Sequence, residues 1–194
     1  MKNKPNASYT LKPNKRSPRI LSFDPGSRNM GIACVGVRKG KIKVIANAIM
    51  EHPLQSLACQ YRTNREIFVN EACRWFDAYD PQLLIMERFQ TRGHGGPLIE
   101  LVATMNAVIS TIDRSKPCKL VTAATWKNAF NRRFDVDLKE LYRECATTPH
   151  QLDAVLIGCF GLELAMQTQL EYTPESIIAM AEQTSLLELR RRRC

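Results

Sequence analysis

The sequence predicts one mixed α/β domain, in which a five-stranded sheet of three antiparallel strands followed by parallel strands carries helices on both faces. Three β-rich runs open the ordered part of the chain. Short apolar runs then alternate with stretches of helical periodicity, which is the pattern of strands joined by crossover helices. With 194 residues, of which 44% are apolar, the chain is long enough for a single sizeable core.

The first three strands are predicted at residues 20–23, 31–37 and 42–49. The first is an apolar run that ends at Asp24, and the other two are joined at Lys39-Gly40-Lys41, where glycine suits a hairpin turn. Residues 83–86 are wholly apolar, as expected of a central parallel strand buried on both faces, and Glu87 follows this strand. A fifth strand is predicted at residues 118–121.

Helical spacing of apolar side chains predicts the covering helices. The first extends from residue 54 to Tyr79, and the second covers residues 98–112 after a glycine-rich loop. Further helices are predicted at residues 123–130, 153–166 and 173–193. We therefore expect a flexible basic arm over residues 1–18, the folded domain over 19–168, and a C-terminal helix with a basic tail over 169–194.

The charge balance favours a polyanionic partner. Lys and Arg total 28 against 19 Asp and Glu, which gives a net charge of +9, and nucleic acid is the leading candidate for such a chain. Part of the excess lies in the two ends of the chain, where basic arms are often simply solvated. The arms alone therefore indicate no function.

Cysteine usage and hydropathy predict the compartment. The seven cysteines form no Cys-x-x-Cys pair, which favours a reducing cytoplasm. No stretch approaches the roughly 20 apolar residues of a membrane span, and the N-terminus lacks an apolar signal region. Its prolines and its Lys and Asn content argue against an organelle transit peptide, so we expect a cytoplasmic protein without a membrane segment.

Four polar side chains stand where a two-metal phosphodiester hydrolase would need them: Asp24, Glu87, His150 and Asp153. Each carboxylate adjoins a run apolar enough to be buried, where a charge is costly unless a cation or dense hydrogen bonding offsets it. In the predicted sheet the first and fourth strands are neighbours, and the helix after residue 150 crosses them. The carboxylates can then converge around cations about 3.5–4 Å apart, as two-metal hydrolysis requires.

His150 and Asp153 are three residues apart, so they share one helix face if the helix already includes residue 150. A neutral imidazole, with an ordinary pKa of about 6.5, can bind a metal or carry a proton. Each residue also has an ordinary explanation by itself. Asp24 suits a turn, and Glu87 can pair with a neighbouring arginine. His150 can simply follow Pro149 as a residue at a helix start, and Asp153 suits the first turn of a helix. Together they predict a metal site.

Four segments carry a resemblance to a known family. They are Phe23-Asp24-Pro25-Gly26-Ser27-Arg28-Asn29-Met30-Gly31, the strand that ends in Glu87-Arg88-Phe89, the helix at 98–112, and His150-Gln151-Leu152-Asp153-Ala154. In order and spacing, over about residues 19–166, they resemble the RuvC family of Holliday junction resolvases, which includes phage and viral members.

The resemblance implies a ribonuclease H-like nuclease domain. It implies a homodimer that binds four-way DNA junctions and makes paired nicks with Mg²⁺, or Mn²⁺ in its place, as two ions per site. Asp24, Glu87 and Asp153 would be metal ligands. His150 occupies a position where some members have Asp and others His, so metal binding and proton transfer both stay open. Family members pair through the helix at 98–112, and a phage or viral member would act in the host cytoplasm.

Seven residues are candidates for contacts with DNA. The cations in segments next to the predicted metals can contact phosphates, an aromatic resembles one that the family uses at the junction centre, and two arginines stand where the family has lysines. The alternatives are a core aromatic and a solvated rim of cations. The candidates are Arg28, Arg88, Phe89, Arg92, Lys127, Arg132 and Arg133.

Two other functions fit parts of the same pattern. A YqgF-like nuclease that acts on structured RNA would share the fold and the Asp-Pro-Gly start, but the helix after Glu87 and the His150-x-x-Asp153 motif favour the RuvC family. A non-catalytic protein that binds branched nucleic acid would share the charge but need no metal.

Overall fold

The computed structural model describes residues 18–26, 29–51, 58–88, 107–108, 116–135 and 137–191. The predicted N-terminal arm, most of the predicted helix at 98–112, and the DNA-contact candidates Arg28, Phe89 and Arg92 lie outside these residues. No helix within these ranges is long and apolar enough to cross a bilayer.

The sheet has five strands, as predicted. They are β1 (Arg19–Asp24), β2 (Asn29–Arg38), β3 (Lys41–Glu51), β4 (Leu83–Arg88) and β5 (Cys118–Thr122), in the spatial order β3-β2-β1-β4-β5. The pairs β1–β2 and β2–β3 are antiparallel, whereas β1–β4 and β4–β5 are parallel. The fourth strand includes Glu87, which was expected to follow it.

The turn between β2 and β3 has the geometry that a two-residue hairpin requires. Lys39 and Gly40 have φ angles of 54° and 76°, and two successive positive φ angles match the twist of the flanking strands. Glycine adopts such an angle without a steric cost. The predicted glycine turn is therefore confirmed.

Five helices are described: α1 (Ala58–Tyr79), α2 (Ala123–Phe134), α3 (Leu138–Glu144), α4 (Pro149–Met166) and α5 (Pro174–Arg191). Three of the predicted bounds or assignments were wrong. Helix α2 continues past residue 130, α3 was not predicted, and α4 begins four residues before the predicted start. The early start of α4 follows from a capping box, in which Thr148 caps the helix and Gln151 bonds back to it, with Pro149 in the first turn.

The core lies on both faces of the sheet because alternate strand residues point in opposite directions. On one face Ile20, Val35 and Ile85 belong to a buried cluster with the residues of α4. On the other face Leu21 and its neighbours pack with Phe68 of α1. Helix α4 is buried along most of its length, which explains why it is apolar on nearly every side.

Helix α4 lies unusually close to the sheet at its N-terminal end. A Cβ atom built on Gly31 of β2 would lie 1.9 Å from the carbonyl oxygen of His150. Ser22 of β1 donates its hydroxyl hydrogen to the carbonyl oxygen of Ala154, at 2.7 Å. The first two turns of α4 are thus fixed against β1 and β2, and this places the predicted site residues.

The C-terminal helix α5 packs into the same core. Ile177 and Ala181 are fully buried. The side-chain amide of the buried Asn47 in β3 makes two hydrogen bonds. Its Nδ2 donates to the carbonyl oxygen of Ala181 at 2.8 Å, and its Oδ1 accepts from the side chain of Gln151 at 3.2 Å. Helix α5 is therefore tied to β3 and to the start of α4.

We expect Gly31→Ala to lower the free energy of unfolding by about 1–3 kcal/mol or more, the range seen when atoms are forced into a packed core. The new methyl group would meet backbone atoms of α4, which cannot turn aside. Gly36→Ala is the matched control, because the nearest atoms there are the flexible end of Ile45 at 3.0 Å and the carbonyl oxygen of Pro18 at 3.2 Å, both much further away than the backbone at Gly31. Urea unfolding curves measure both, and equal losses in the two variants would contradict the close approach at Gly31.

Candidate active site

Two of the predicted site residues lie on neighbouring parallel strands. Phe23 of β1 pairs with Met86 of β4, and Asp24 and Glu87 directly follow these two residues in sequence. Because parallel strands end at the same edge of a sheet, the two carboxylates come to one edge. Asp24 is 6% exposed, so its charge is largely removed from water.

His150 meets Asp24 across the gap between α4 and β1. Its Nδ1 lies 2.6 Å from the Asp24 carboxylate. The hydrogen bond to Asp24 raises the pKa of His150 above its ordinary value, and the charges of Asp24, Asp153 and Glu87 add to this effect, while burial opposes it. The raised pKa favours the imidazolium, in which Nδ1 donates to Asp24.

Asp153 lies one turn further along α4 and is 8% exposed. Its Oδ2 accepts from the Lys127 ammonium at 3.0 Å, and its Oδ1 accepts from the Tyr142 hydroxyl. Burial raises the pKa of Asp153 and the charge of Asp24 adds to this, while the bonds to Tyr142 and Lys127 act in the opposite direction. Both oxygens of this carboxylate therefore have a donor.

Glu87 has one strong donor and two like-charged neighbours. Its Oε2 accepts from the indole Nε1 of Trp126 at 2.7 Å. Burial raises the pKa of Glu87, the Trp126 bond lowers it, and the charges of Asp24 and Asp153 raise it again. Three carboxylates from three separate elements thus act on one another electrostatically, as a common site requires.

The donor set fits a divalent cation by its chemistry. Three carboxylates offer the oxygen ligands that Mg²⁺ and Mn²⁺ prefer, and a cation would relieve the repulsion among them. In the described part of the chain, however, no three acidic, histidine or cysteine side chains already surround one metal position. At Asp153, Lys127 and Tyr142 already engage both carboxylate oxygens. Metal binding therefore requires side chains to move.

The described basic residues in or close to the site elements differ in how exposed they are and in what they already bind. Arg88 is exposed next to Glu87. Lys127 is bound to Asp153, although about a third of its side chain, 35%, is exposed. Arg132 on α2 is exposed, and its Nε donates to the carbonyl oxygen of Asn128 at 3.1 Å. These three side chains can reach solvent at or near the site.

Arg133 has a different environment from its neighbour Arg132. It forms a salt bridge with Glu163 and donates to the carbonyl oxygen of Leu170. Its guanidinium lies 4.6 Å and 4.4 Å from the ring centroids of Phe134 and Tyr172. In this structure it joins α2, α4 and the segment before α5, so a contact with DNA stays a prediction that nothing in its surroundings favours.

Two site residues were missed in the sequence. Trp126 was treated as part of a short helix, and Tyr142 fell in a stretch without a predicted element. A signal for α3 was present, since Asp137 caps it and Leu138 and Leu141 are three residues apart. No local signal showed that Tyr142 would meet Asp153, because that contact depends on how α3 packs against α4.

Comparisons with known proteins establish the fold. No family model and no curated protein matches the chain. Among solved structures, Thermus thermophilus RuvC has a TM-score of 0.64 at 15% identity, over 78% of this chain and 98% of its own. The fold is ribonuclease H-like, of the RuvC type.

Two further solved structures are similar. T. thermophilus RuvC in complex with a Holliday junction substrate has a TM-score of 0.62 at 12% identity, over 77% of this chain and 97% of its own. The yeast mitochondrial Holliday junction resolvase Ydc2 has a TM-score of 0.55 at 9% identity, over 95% of this chain and 88% of its own. The predicted fold class is thus confirmed.

The raised pKa values predict that the metal-free site loses stability as the pH rises. Glu87, Asp153 and His150 all have raised pKa values in the folded chain, so the folded chain holds more protons at these groups than the unfolded chain. Their contribution is fully present below the ordinary values, near 4 for the carboxyls and 6.5 for His150, and is lost as the pH rises through the raised values.

Glu87→Gln tests this effect, since glutamine keeps an acceptor for Trp126 but carries no charge. In EDTA, the Tm of the variant should exceed that of the wild type increasingly as the pH rises, by about 2–4 °C for each kcal/mol of repulsion removed. Glu66→Gln, on the exposed side of α1, is the matched control and should show no such trend. A pH-independent difference at Glu87 would refute the coupling. Mg²⁺ should stabilise the wild type and the Glu66→Gln control more than the Glu87→Gln variant.

Proposed function

We propose that this chain is a metal-dependent endonuclease that cuts four-way DNA junctions by paired nicks. The observation that carries the proposal is the convergence of Asp24, Glu87 and Asp153, which come from β1, β4 and α4 and influence one another's charge. A cluster of buried carboxylates is costly without a cation. Such a cluster at one edge of a ribonuclease H-like sheet suits phosphodiester hydrolysis.

The side chains divide into three roles. Asp24, Glu87 and Asp153 would hold Mg²⁺, or Mn²⁺ in its place, as two ions, and these ions activate water and stabilise the leaving oxygen when bound. His150 is held by Asp24 through Nδ1 and can move a proton at Nε2 or act as a further metal ligand. Lys127 is close enough to the site to release Asp153 and bind a phosphate of the substrate instead.

Branched DNA is the substrate that the fold and the charge favour together. The net charge of +9 suits a phosphate backbone, and one of the similar solved structures is a RuvC bound to a Holliday junction substrate. Paired nicks need two active sites, so we propose a homodimer. The basic arm at residues 1–18 and the tail after α5 would extend the contact with DNA beyond the folded domain.

The central prediction is that Asp24→Asn and Asp153→Asn retain junction binding and lose nicking. The loss should exceed the roughly 10–100-fold that is typical when a partner of a metal ligand is removed. Asp77→Asn on the exposed side of α1 is the matched control. A labelled four-way junction, duplex, flap, Y-shaped DNA and an RNA hairpin are incubated with Mg²⁺ or Mn²⁺, and the products are resolved on denaturing gels.

The substrates separate the alternatives. Symmetric nicks confined to the junction support resolution, and equal cutting of every branched DNA would replace it with general debranching. Preference for the RNA hairpin would instead favour a YqgF-like activity. Junction binding by the wild type with no cleavage in either metal would favour a non-catalytic binder and refute the proposed nuclease.

Junction affinity should fall steeply with salt, because each B-DNA phosphate contact releases about 0.9 counterions. Arg132→Gln should reduce the slope of log K against log salt by about one if the exposed Arg132 contacts a phosphate. Arg133→Gln is the adjacent comparison. It should leave the slope unchanged but lower stability, because the mostly buried Glu163 then loses its cationic partner and keeps only neutral donors, the N–H of Leu170 and the hydroxyl of Tyr172. Fluorescence anisotropy measures the slope, and a flat salt response in the wild type would contradict an electrostatic interface.

A further inference from the structure

We infer that Tyr142 is a positioning residue that orients the metal ligand Asp153. This inference rests on the proposed function, since it assigns to Asp153 the role of a ligand. Tyr142 donates its hydroxyl hydrogen to Oδ1 of Asp153. Partners of this kind hold the ligating carboxylates of metal sites in a fixed orientation.

Helix α3 places the tyrosine through the face that it packs into the core. Asp137 caps the helix by accepting from the backbone N–H of Lys139 at 2.9 Å. Leu138 and Leu141 are each 5% exposed and belong to the core cluster around α4. These contacts fix the short helix, so the Tyr142 ring packs against the same cluster with its hydroxyl group at Asp153.

The other donor to Asp153 is suited to a different task. Lys127 binds Oδ2 at 3.0 Å, and its ammonium lies 4.8 Å from the centroid of the Trp126 ring and 5.8 Å from that of Tyr142. It is a positive charge on a flexible stem, and a divalent cation at Asp153 would repel it. The tyrosine is neutral and rigid, so it can stay in place when Lys127 leaves.

Asp153 can accept a cation while Tyr142 remains bound. An ionised carboxylate has about four lone-pair sites, and the single hydroxyl hydrogen of Tyr142 uses one of them. When Lys127 is displaced, the oxygen that it occupied becomes available in an orientation that Tyr142 maintains. Asp153 thus has two donors of different kinds, a cation that can be displaced and a neutral donor that stays in place.

The test is Mn²⁺ binding to the full chain without DNA, measured by electron paramagnetic resonance. Tyr142→Phe removes only the hydroxyl group, and we expect its Kd for Mn²⁺ to rise about 10-fold. The matched control is Tyr172→Phe, because the Tyr172 hydroxyl is also half-buried and hydrogen-bonds a carboxylate, Glu163, away from the site. The Kd of this control should equal that of the wild type.

A second readout separates positioning from a loss of structure. In junction cleavage, Tyr142→Phe should need about 10-fold more Mn²⁺ for half-maximal rate yet approach the wild-type kcat at saturating metal, and its Tm in EDTA should stay near that of Tyr172→Phe. A lowered kcat at saturating metal with unchanged metal dependence would overturn the inference. Lys127→Met should bind Mn²⁺ at least as tightly as the wild type, since a repelling charge is gone.

The outcomes distinguish this inference from the proposed function. A wild type that binds Mn²⁺ and cuts junctions, with an equal Kd in Tyr142→Phe, overturns the role of Tyr142 alone. If Lys127→Met weakens Mn²⁺ binding and Tyr142→Phe leaves it unchanged, the role of Tyr142 is also overturned and the positioning is assigned to the lysine. A wild type that binds no Mn²⁺ overturns the proposed nuclease and the inference with it.

Discussion

The rest of the site depends on the burial of acidic groups that act on one another's charge. Asp24 and Asp153 are almost inaccessible to water, and Glu87 is coupled to both through its charge. Four donors offset this repulsion, namely an imidazole, an indole, an ammonium and a phenol. The chain thus keeps acids together at a cost in stability, as sites that bind cations do.

The close contact between α4 and the sheet allows this arrangement. Gly31 leaves room for the backbone of His150, and the buried hydroxyl of Ser22 bonds to the carbonyl oxygen of Ala154. Because the strand that contains Ser22 ends at Asp24, one strand both anchors the helix and carries a candidate ligand. On the far side of α4, Gln151 and Asn47 connect the same turn to the C-terminal helix, so the site is held from both sides.

Positive charge is used for two different purposes around this centre. Arg132 and Arg133 are adjacent in sequence, yet one is exposed and the other is held by Glu163 between aromatic rings. Charge patterning alone could not separate them, since burial depends on what packs against each helix face. Lys127 lies between these cases, because it binds Asp153 although about a third of its side chain, 35%, is exposed.

Sequence patterns determined the five strands and most of the helices, because apolar runs and helical spacing are local properties of the chain. The glycine turn and the crossover helices predicted the antiparallel and parallel pairing. The sequence also identified Asp24, Glu87, His150 and Asp153 as candidates, since acids next to apolar runs need a reason to be buried. Only the tertiary structure decided that Trp126 and Tyr142 hold two of these carboxylates, and that Arg133 is a packing residue. Such contacts join residues far apart in the chain, so they depend on how α2, α3 and α4 pack together, which no local pattern encodes.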